Sequence, residues 1–160
     1  MTNSLQPGET GQPLPDGEAV LRLFKPSKDG QVLEVHFAIT GQDDVAPLYS
    51  LSVWAESLTS PLQARDFMGV NKFAYQLYSR LSVTRIRTLT TPDLVEPVLN
   101  VVWDTLYEDE ETGQRNTEPG AEGHAGLTGL RRPPGMEKQI YKTLRVRLAD
   151  MANESLNSYT

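Results

Sequence analysis

His124 is the first residue in the sequence that could carry out chemistry. It lies in the segment 119–135, PGAEGHAGLTGLRRPPG, where glycines, an acid and two arginines surround it. Imidazole titrates near neutral pH and can act as a general acid or a general base. His36, the other histidine of the chain, is the second catalytic candidate. A structural or partner-binding role is open for both, because the sequence identifies no catalytic partner for either.

A nucleophilic reaction would need a hydroxyl group beside the histidine. The chain has no Gly-x-Ser-x-Gly elbow, and with no cysteine it has neither a thiolate nucleophile nor cysteine ligands for zinc. The glycines around His124 are spaced by three, which is not the dinucleotide-binding pattern, and we expect no cofactor. The catalytic hypothesis is a small hydrolase or transferase in which His124, or His36, works with an acid from residues 108–122.

Acidic residues are concentrated before His124 and basic residues after it. Seven acids lie between Asp104 and Glu122, and six bases lie between Arg131 and Asp150. The run EDEE could hold a hard cation, but the calcium-loop pattern fails because glycine and glutamine occupy positions 113 and 114. A solvated acidic loop is favoured, and we expect no metal site. The residues expected to bind a partner are Glu108, Asp109, Glu110, Glu111, His124, Arg131 and Arg132.

The composition predicts one ordinary globular domain. The chain has 160 residues, of which 38% are hydrophobic and 22% charged, and its net charge is −6. This charge repels phosphate backbones, so nucleic-acid binding would require Arg80, Arg85, Arg87 and the bases of 131–147 to form one face. No apolar run is long enough to cross a bilayer, and residues 1–17 lack the features of a signal peptide. We therefore expect a soluble, cytoplasmic protein that does not enter a membrane.

The first 55 residues comprise a polar leader followed by three predicted strands. Residues 1–17 are polar and rich in proline and glycine, which is typical of a flexible leader. EAVLRLFK and QVLEVHFAIT flank an Asp-Gly turn signal and predict a β-hairpin, with His36 on the wetter face of the second strand. The alternation of apolar residues in LYSLSVWA predicts a third antiparallel strand.

A helix is predicted from about residue 60. Ser60 fits an N-cap, Pro61 the first helical position and Gln63 the capping-box partner. Apolar residues continue at helical spacing as far as Leu81, although Gly69 weakens the middle of this stripe and marks a possible break.

The rest of the chain alternates between strand and helix signals. SVTRIRTL is β-branched and predicts a strand. Residues 91–107 fit either a helix or a turn followed by a strand from about Val98, and Pro97 favours the turn and strand. Residues 108–123 are predicted to be a mobile loop and HAGLTGL a short strand. The segment PPGMEKQIYKTLRVRLADMANES predicts a C-terminal helix from about residue 136.

Four stretches of the sequence, VLRLFKPSKDG, LSVWAESLTSPLQARDFM, VVWDTLYED and GHAGLTGLRRPPG, together carry a resemblance. The chain resembles a group of small uncharacterised bacterial proteins with a strand-rich front half, a strand-to-helix junction of the form LSV...SP..A, and a late GHA...GL segment. The resemblance implies a bacterial origin, and it brings no activity that could be transferred residue by residue.

We predict an α+β fold: one domain over residues 18–156, with an antiparallel sheet, a helix from about residue 60 and a helix from about residue 136. The favoured hypothesis for function is an accessory module, in a bacterial defence or toxin system, that binds another protein through the loop Glu108–Pro134. The small hydrolase or transferase is the alternative. The sequence does not indicate an oligomeric state.

Overall fold

The computed structural model describes residues 5–159 and has an α+β architecture, as predicted. Its main sheet has six strands in the order β4–β7–β2–β1–β3–β8, and every pairing in it is antiparallel. A separate two-stranded hairpin is formed by β5 and β6. The strands are β1 Ala19–Phe24, β2 Leu51–Ala55, β3 Leu77–Ser82, β4 Asn100–Trp103, β5 Tyr107–Asp109, β6 Gln114–Arg115, β7 His124–Thr128 and β8 Asn157–Ser158.

Helices cover both faces of the main sheet. The α-helices are α1 Pro61–Phe67, α2 Val83–Arg87 and α3 Lys138–Glu154, and 3-10 helices span Glu34–Phe37 and Gly69–Ala74. Side chains alternate along a strand, so neighbouring residues of β1 face opposite sides of the sheet. Val20 packs into the cluster that includes Leu144 and Leu148 of α3. Leu21 packs with Trp54 of β2 and with Ala64 of α1. The sheet therefore separates a large core under α3 from a smaller one under α1.

The predicted start of α1 is confirmed. The Ser60 hydroxyl accepts a hydrogen bond from the Gln63 amide at 3.2 Å, and the Gln63 side chain accepts one from the Ser60 amide at 3.0 Å. The helix ends at Phe67, close to Gly69, whose φ of +66° is left-handed and interrupts the helical backbone. The predicted continuation of this helix to Leu81 is wrong, because the residues after Gly69 form a 3-10 helix and then β3.

The predicted hairpin partner of β1 is not a strand. Both edges of β1 are already paired, with β2 on one side and β3 on the other, which leaves no position beside β1 for residues 31–40. That segment instead contains the 3-10 helix Glu34–Phe37, which buries Phe37 and leaves Val35 exposed. The alternating sequence pattern resembled a strand, but the buried residues do not follow it.

The predicted strand at 82–89 is also wrong, because this segment forms α2. The Ser82 hydroxyl accepts a hydrogen bond from the Arg85 amide and caps the helix. Val83 and Ile86, three residues apart, are both buried, which is the spacing of one helical turn. In this short segment, capping and burial outweigh the β-propensity of its branched residues.

Three other predictions of secondary structure are confirmed. Residues 91–107 form turns followed by β4, β7 occupies most of HAGLTGL, and α3 begins two residues after Met136. The segment 108–123, predicted to be a loop, contains the end of β5 and all of β6, so a small hairpin stands within it.

The described part of the predicted leader runs along the edge of β4. The Gly11 amide donates to the Trp103 carbonyl at 2.9 Å, and the Leu14 amide donates to the Val101 carbonyl at 3.1 Å. Leu14 is 2% exposed and belongs to the large core. Residues 5–17 are therefore packed against the domain predicted to begin at residue 18, and they cover the edge of β4.

Candidate functional site

The main sheet brings a serine, a histidine and an aspartate together on the face that α1 covers. Trp54 of β2 lies opposite His124 of β7, and Ser52 lies opposite Gly126, so Ser52 and His124 are diagonal neighbours on adjacent strands. On the other side of β7, the pairing of Trp103 with Ala125 brings the next residue, Asp104, beside His124. Residues far apart in the sequence thus meet through the order of the strands.

Both nitrogens of the His124 ring have partners. Nδ1 lies 3.0 Å from the backbone carbonyl of Asp104 and 3.5 Å from its carboxylate Oδ2, and Nε2 lies 3.0 Å from Ser52 Oγ. A carbonyl oxygen only accepts, so Nδ1 carries the proton and Nε2 is free to accept from the Ser52 hydroxyl. This is the arrangement in which a histidine can take a proton from a serine that attacks an electrophile.

The surroundings of His124 favour its neutral form. Its side chain is buried, with the Trp54 ring at 5.6 Å in an edge-on orientation and the Phe67 ring at 6.2 Å. Desolvation lowers the pKa of His124, and the hydrogen bond and negative charge of Asp104 only partly oppose that shift. At neutral pH the imidazole is therefore uncharged and able to act as a base.

Ser52 is half-buried and lies at the wall of two cavities. One cavity, of about 210 Å³, is also lined by Asp104. The other, of about 270 Å³, is also lined by Arg22 and Trp54. The segment 40–50 contributes Gln42 and Asp43 to both, so a small molecule held beneath that segment could approach the Ser52 hydroxyl.

Arg131 contacts the segment 40–50, and its predicted role in partner binding stays a prediction. Its guanidinium stacks 4.0 Å from the centre of the Tyr49 ring and forms an ion pair with Asp44 at 2.9 Å. Arg132, the other predicted binding arginine, donates a hydrogen bond to the carbonyl of Met136 in the turn before α3. Both arginines are exposed. Arg131 contacts the segment 40–50, and Arg132 contacts the turn before α3.

Within residues 5–159, no acid of the predicted range 108–122 forms a hydrogen bond or an ion pair with the His124 side chain. Glu108, Asp109, Glu110 and Glu111 are exposed on β5 and in the turn that follows, where Asp109 Oδ1 accepts from the Glu111 amide at 3.0 Å. The acid beside His124 is Asp104, which lies outside the range 108–122. Within residues 5–159 no group of three or more histidines and acids is placed to hold a metal ion.

The contacts of His36 are with the backbone and with Phe24. Its Nδ1 accepts from the Leu33 amide at 2.9 Å, and its Nε2 donates to the Lys25 carbonyl at 3.0 Å. The ring also packs edge-on against Phe24 at 5.6 Å. Both ring nitrogens are thus bonded to the backbone, and the residue ties the end of β1 to the 3-10 helix that contains it.

Sequence reasoning missed Ser52 and did not connect Asp104 with His124. The alternation in LSVWA does place Ser52 on the same side of its strand as Trp54, but nothing local shows that β7 pairs with β2. That pairing is long-range, because 72 residues separate Ser52 from His124. A serine within a strand also lacks the glycine-flanked turn by which sequence motifs identify nucleophiles.

No known protein family matches the chain, and neither does any curated protein or solved structure. Within residues 5–159 the longest helix has 17 residues, and no helix is long and apolar enough to cross a membrane.

Proposed function

We propose that the chain is a hydrolase that acts on an ester or another activated acyl group, with Ser52 as nucleophile and His124 as general base. The observation that carries this proposal is the 3.0 Å contact between Ser52 Oγ and His124 Nε2, with the other ring nitrogen hydrogen-bonded to the Asp104 backbone carbonyl and 3.5 Å from the Asp104 carboxylate. It is the hydrolase alternative of the sequence analysis, with Asp104 as the acid.

The reaction would follow from the hydrogen bonds around His124. Ser52 Oγ attacks the acyl carbon while its proton moves to Nε2, and the tetrahedral adduct then expels the alcohol, which takes that proton. The acyl group remains on Ser52. A water molecule next attacks the acyl carbon and gives its proton to Nε2, from which the departing Ser52 oxygen recovers it, so a carboxylic acid is released. Asp104 would stabilise the imidazolium through Nδ1–H.

The test is hydrolysis of short-chain aryl esters by matched variants. Ser52→Ala and His124→Gln are expected to lower kcat/KM by about 10²–10⁴-fold, since each removes one member of the nucleophile–base pair. Ser57→Ala, which changes an exposed serine, and His36→Gln, which changes the other histidine, serve as controls. Equal activity in Ser52→Ala and wild type would refute the proposal.

The protein-binding accessory role in a bacterial defence or toxin system is the second proposal. It is supported by the exposed acids Glu108–Glu111, for which the described residues include no ion pair. A variant with glutamine or asparagine at all four positions should lose a co-purifying partner that wild type retains at low salt. Retention of the same partner by that variant would argue against this surface.

A further inference from the structure

The cavity of about 270 Å³ beside Ser52 contains one cationic side chain, Arg22 of β1. Arg22 donates to the carbonyls of Ser52 at 2.8 Å and His36 at 2.9 Å, so it is fixed by backbone groups. Within residues 5–159 no carboxylate forms an ion pair with it. No carboxylate contacts this guanidinium directly, although the negative charge of Asp43, on the same cavity, favours its charged form.

Two buried N–H groups on side chains of the same cavity have no acceptor in the described structure. They are Nε of Arg22 and Nε1 of Trp54. Buried donors are nearly always hydrogen-bonded, to protein, water or ligand, because an unpaired one loses its hydration without compensation. Desolvation also lowers the pKa of Arg22 to about 10, which still leaves the guanidinium charged at neutral pH.

We propose that this cavity binds a carboxylate group carried on the acyl part of the substrate. The proposal rests on the hydrolase function, and it narrows the substrates to acyl compounds with a carboxylate a few bonds from the carbonyl that Ser52 attacks. Arg22 supplies the counter-charge, and the unpaired N–H groups belong to two residues of the cavity wall, Arg22 and Trp54. The cavity is smaller than most ligand pockets, which suits a short acyl chain.

Asp43 makes this proposal more specific. It lines the same cavity, and its Oδ2 accepts from the Thr40 hydroxyl at 2.8 Å and from the Thr40 amide at 3.2 Å. The negative charge of Asp43 repels the carboxylate of the substrate and would lower the affinity of the cavity for it. Asp43→Asn, which keeps the shape of the side chain, should therefore tighten carboxylate binding, whereas Arg22→Gln should abolish it.

The kinetic test compares aryl hemisuccinate with aryl butyrate, two esters with acyl chains of equal length. Wild type is expected to favour the hemisuccinate by about tenfold or more in kcat/KM, mainly through KM, which is the usual size of a charge-assisted contact. Arg22→Gln should remove the preference and Asp43→Asn should increase it. Hydrolysis of both esters at equal kcat/KM would overturn the carboxylate site and leave the hydrolase proposal standing.

The binding test does not depend on turnover. Succinate is titrated into the Ser52→Ala variant while the two indole N–H signals, from Trp54 and Trp103, are followed by ¹H–¹⁵N NMR. The Trp54 signal, assigned with Trp54→Phe, should shift and saturate, and the Trp103 signal should stay. Butyramide and inorganic phosphate are the comparison ligands, and a stronger response to phosphate would overturn the choice of carboxylate.

The two tests separate the two proposals. If the Trp54 signal responds to succinate while wild type hydrolyses neither ester, the carboxylate site is supported and the hydrolase proposal fails. An unchanged Trp54 signal in a folded Ser52→Ala variant, judged by its dispersed amide spectrum, would mean that water alone satisfies these donors, and the site would be rejected.

Discussion

At His124, burial and hydrogen bonding act on the imidazole in opposite directions. Burial disfavours the charged ring, whereas the Asp104 carbonyl and carboxylate favour it, and the lowered pKa shows that burial is the larger effect. The Asp104 carbonyl fixes the tautomer, so that Nε2 faces Ser52 as an acceptor. A histidine in this state is uncharged and can accept a proton at neutral pH.

The lowered pKa of His124 predicts a pH dependence of stability. In the unfolded chain the ring takes up a proton near its ordinary pKa of about 6.5, whereas in the folded protein it does so only at lower pH. The unfolded state therefore binds more protons as the pH falls below about 6.5, and the free energy of unfolding decreases there. Urea denaturation at pH 7.5 and pH 5.5 should show a smaller decrease for His124→Gln than for wild type. Equal decreases would contradict the assigned shift.

The elements of this fold differ in how much of their position is encoded locally. The start of α1 depends on Ser60, Pro61 and Gln63, which are close in sequence, and it could be predicted. The 3-10 helix at Glu34–Phe37 could not, because it depends on β2 and β3 having occupied both edges of β1. The candidate site also depends on long-range pairing, since Ser52, Asp104 and His124 meet only through the strand order β4–β7–β2.

The turn after β7 requires glycine at position 129. Its φ is +96°, and a Cβ built there would lie 2.1 Å from the Val98 carbonyl oxygen beside β4. Gly129→Ala should therefore lower the free energy of unfolding by about 2 kcal/mol or more, because strain and a backbone clash add. Gly113→Ala is the matched control, with a φ of +74° but open space around it, and should cost about 1 kcal/mol. Chemical denaturation measures both, and equal losses would show that the close approach to Val98 relaxes.

At the scale of the whole molecule, arginines that could have formed a basic face are tied to acids. Arg80 pairs with Glu56 at 2.7 Å, and Arg85 pairs with Glu154 at 2.6 Å. Arg87 pairs with Asp16, which lies in the segment predicted to be a leader. Each of these three guanidinium groups therefore contacts a carboxylate, and the absence of nucleic-acid binding stays a prediction.

The packing of residues 5–17 on β4 predicts that this segment contributes to global stability. Leu14→Ala removes a side chain that is 2% exposed in the large core and should lower the free energy of unfolding by about 2–5 kcal/mol. Leu62→Ala, where the leucine is 59% exposed on α1, is the matched control and should change it by less than about 0.5 kcal/mol. Equal, small losses for both variants would mean that the segment is a flexible leader in solution.

The reactivity of Ser52 is the central claim, and covalent labelling tests it most directly. An aryl fluorophosphonate forms a bond from phosphorus to an activated serine oxygen with loss of fluoride, and the proton passes to the neighbouring base. We predict a single adduct in wild type, mapped to Ser52 by peptide mass spectrometry, and labelling at least about 10²-fold slower in His124→Gln. An adduct on another serine, no adduct at all, or equal labelling rates in wild type and His124→Gln would contradict the account.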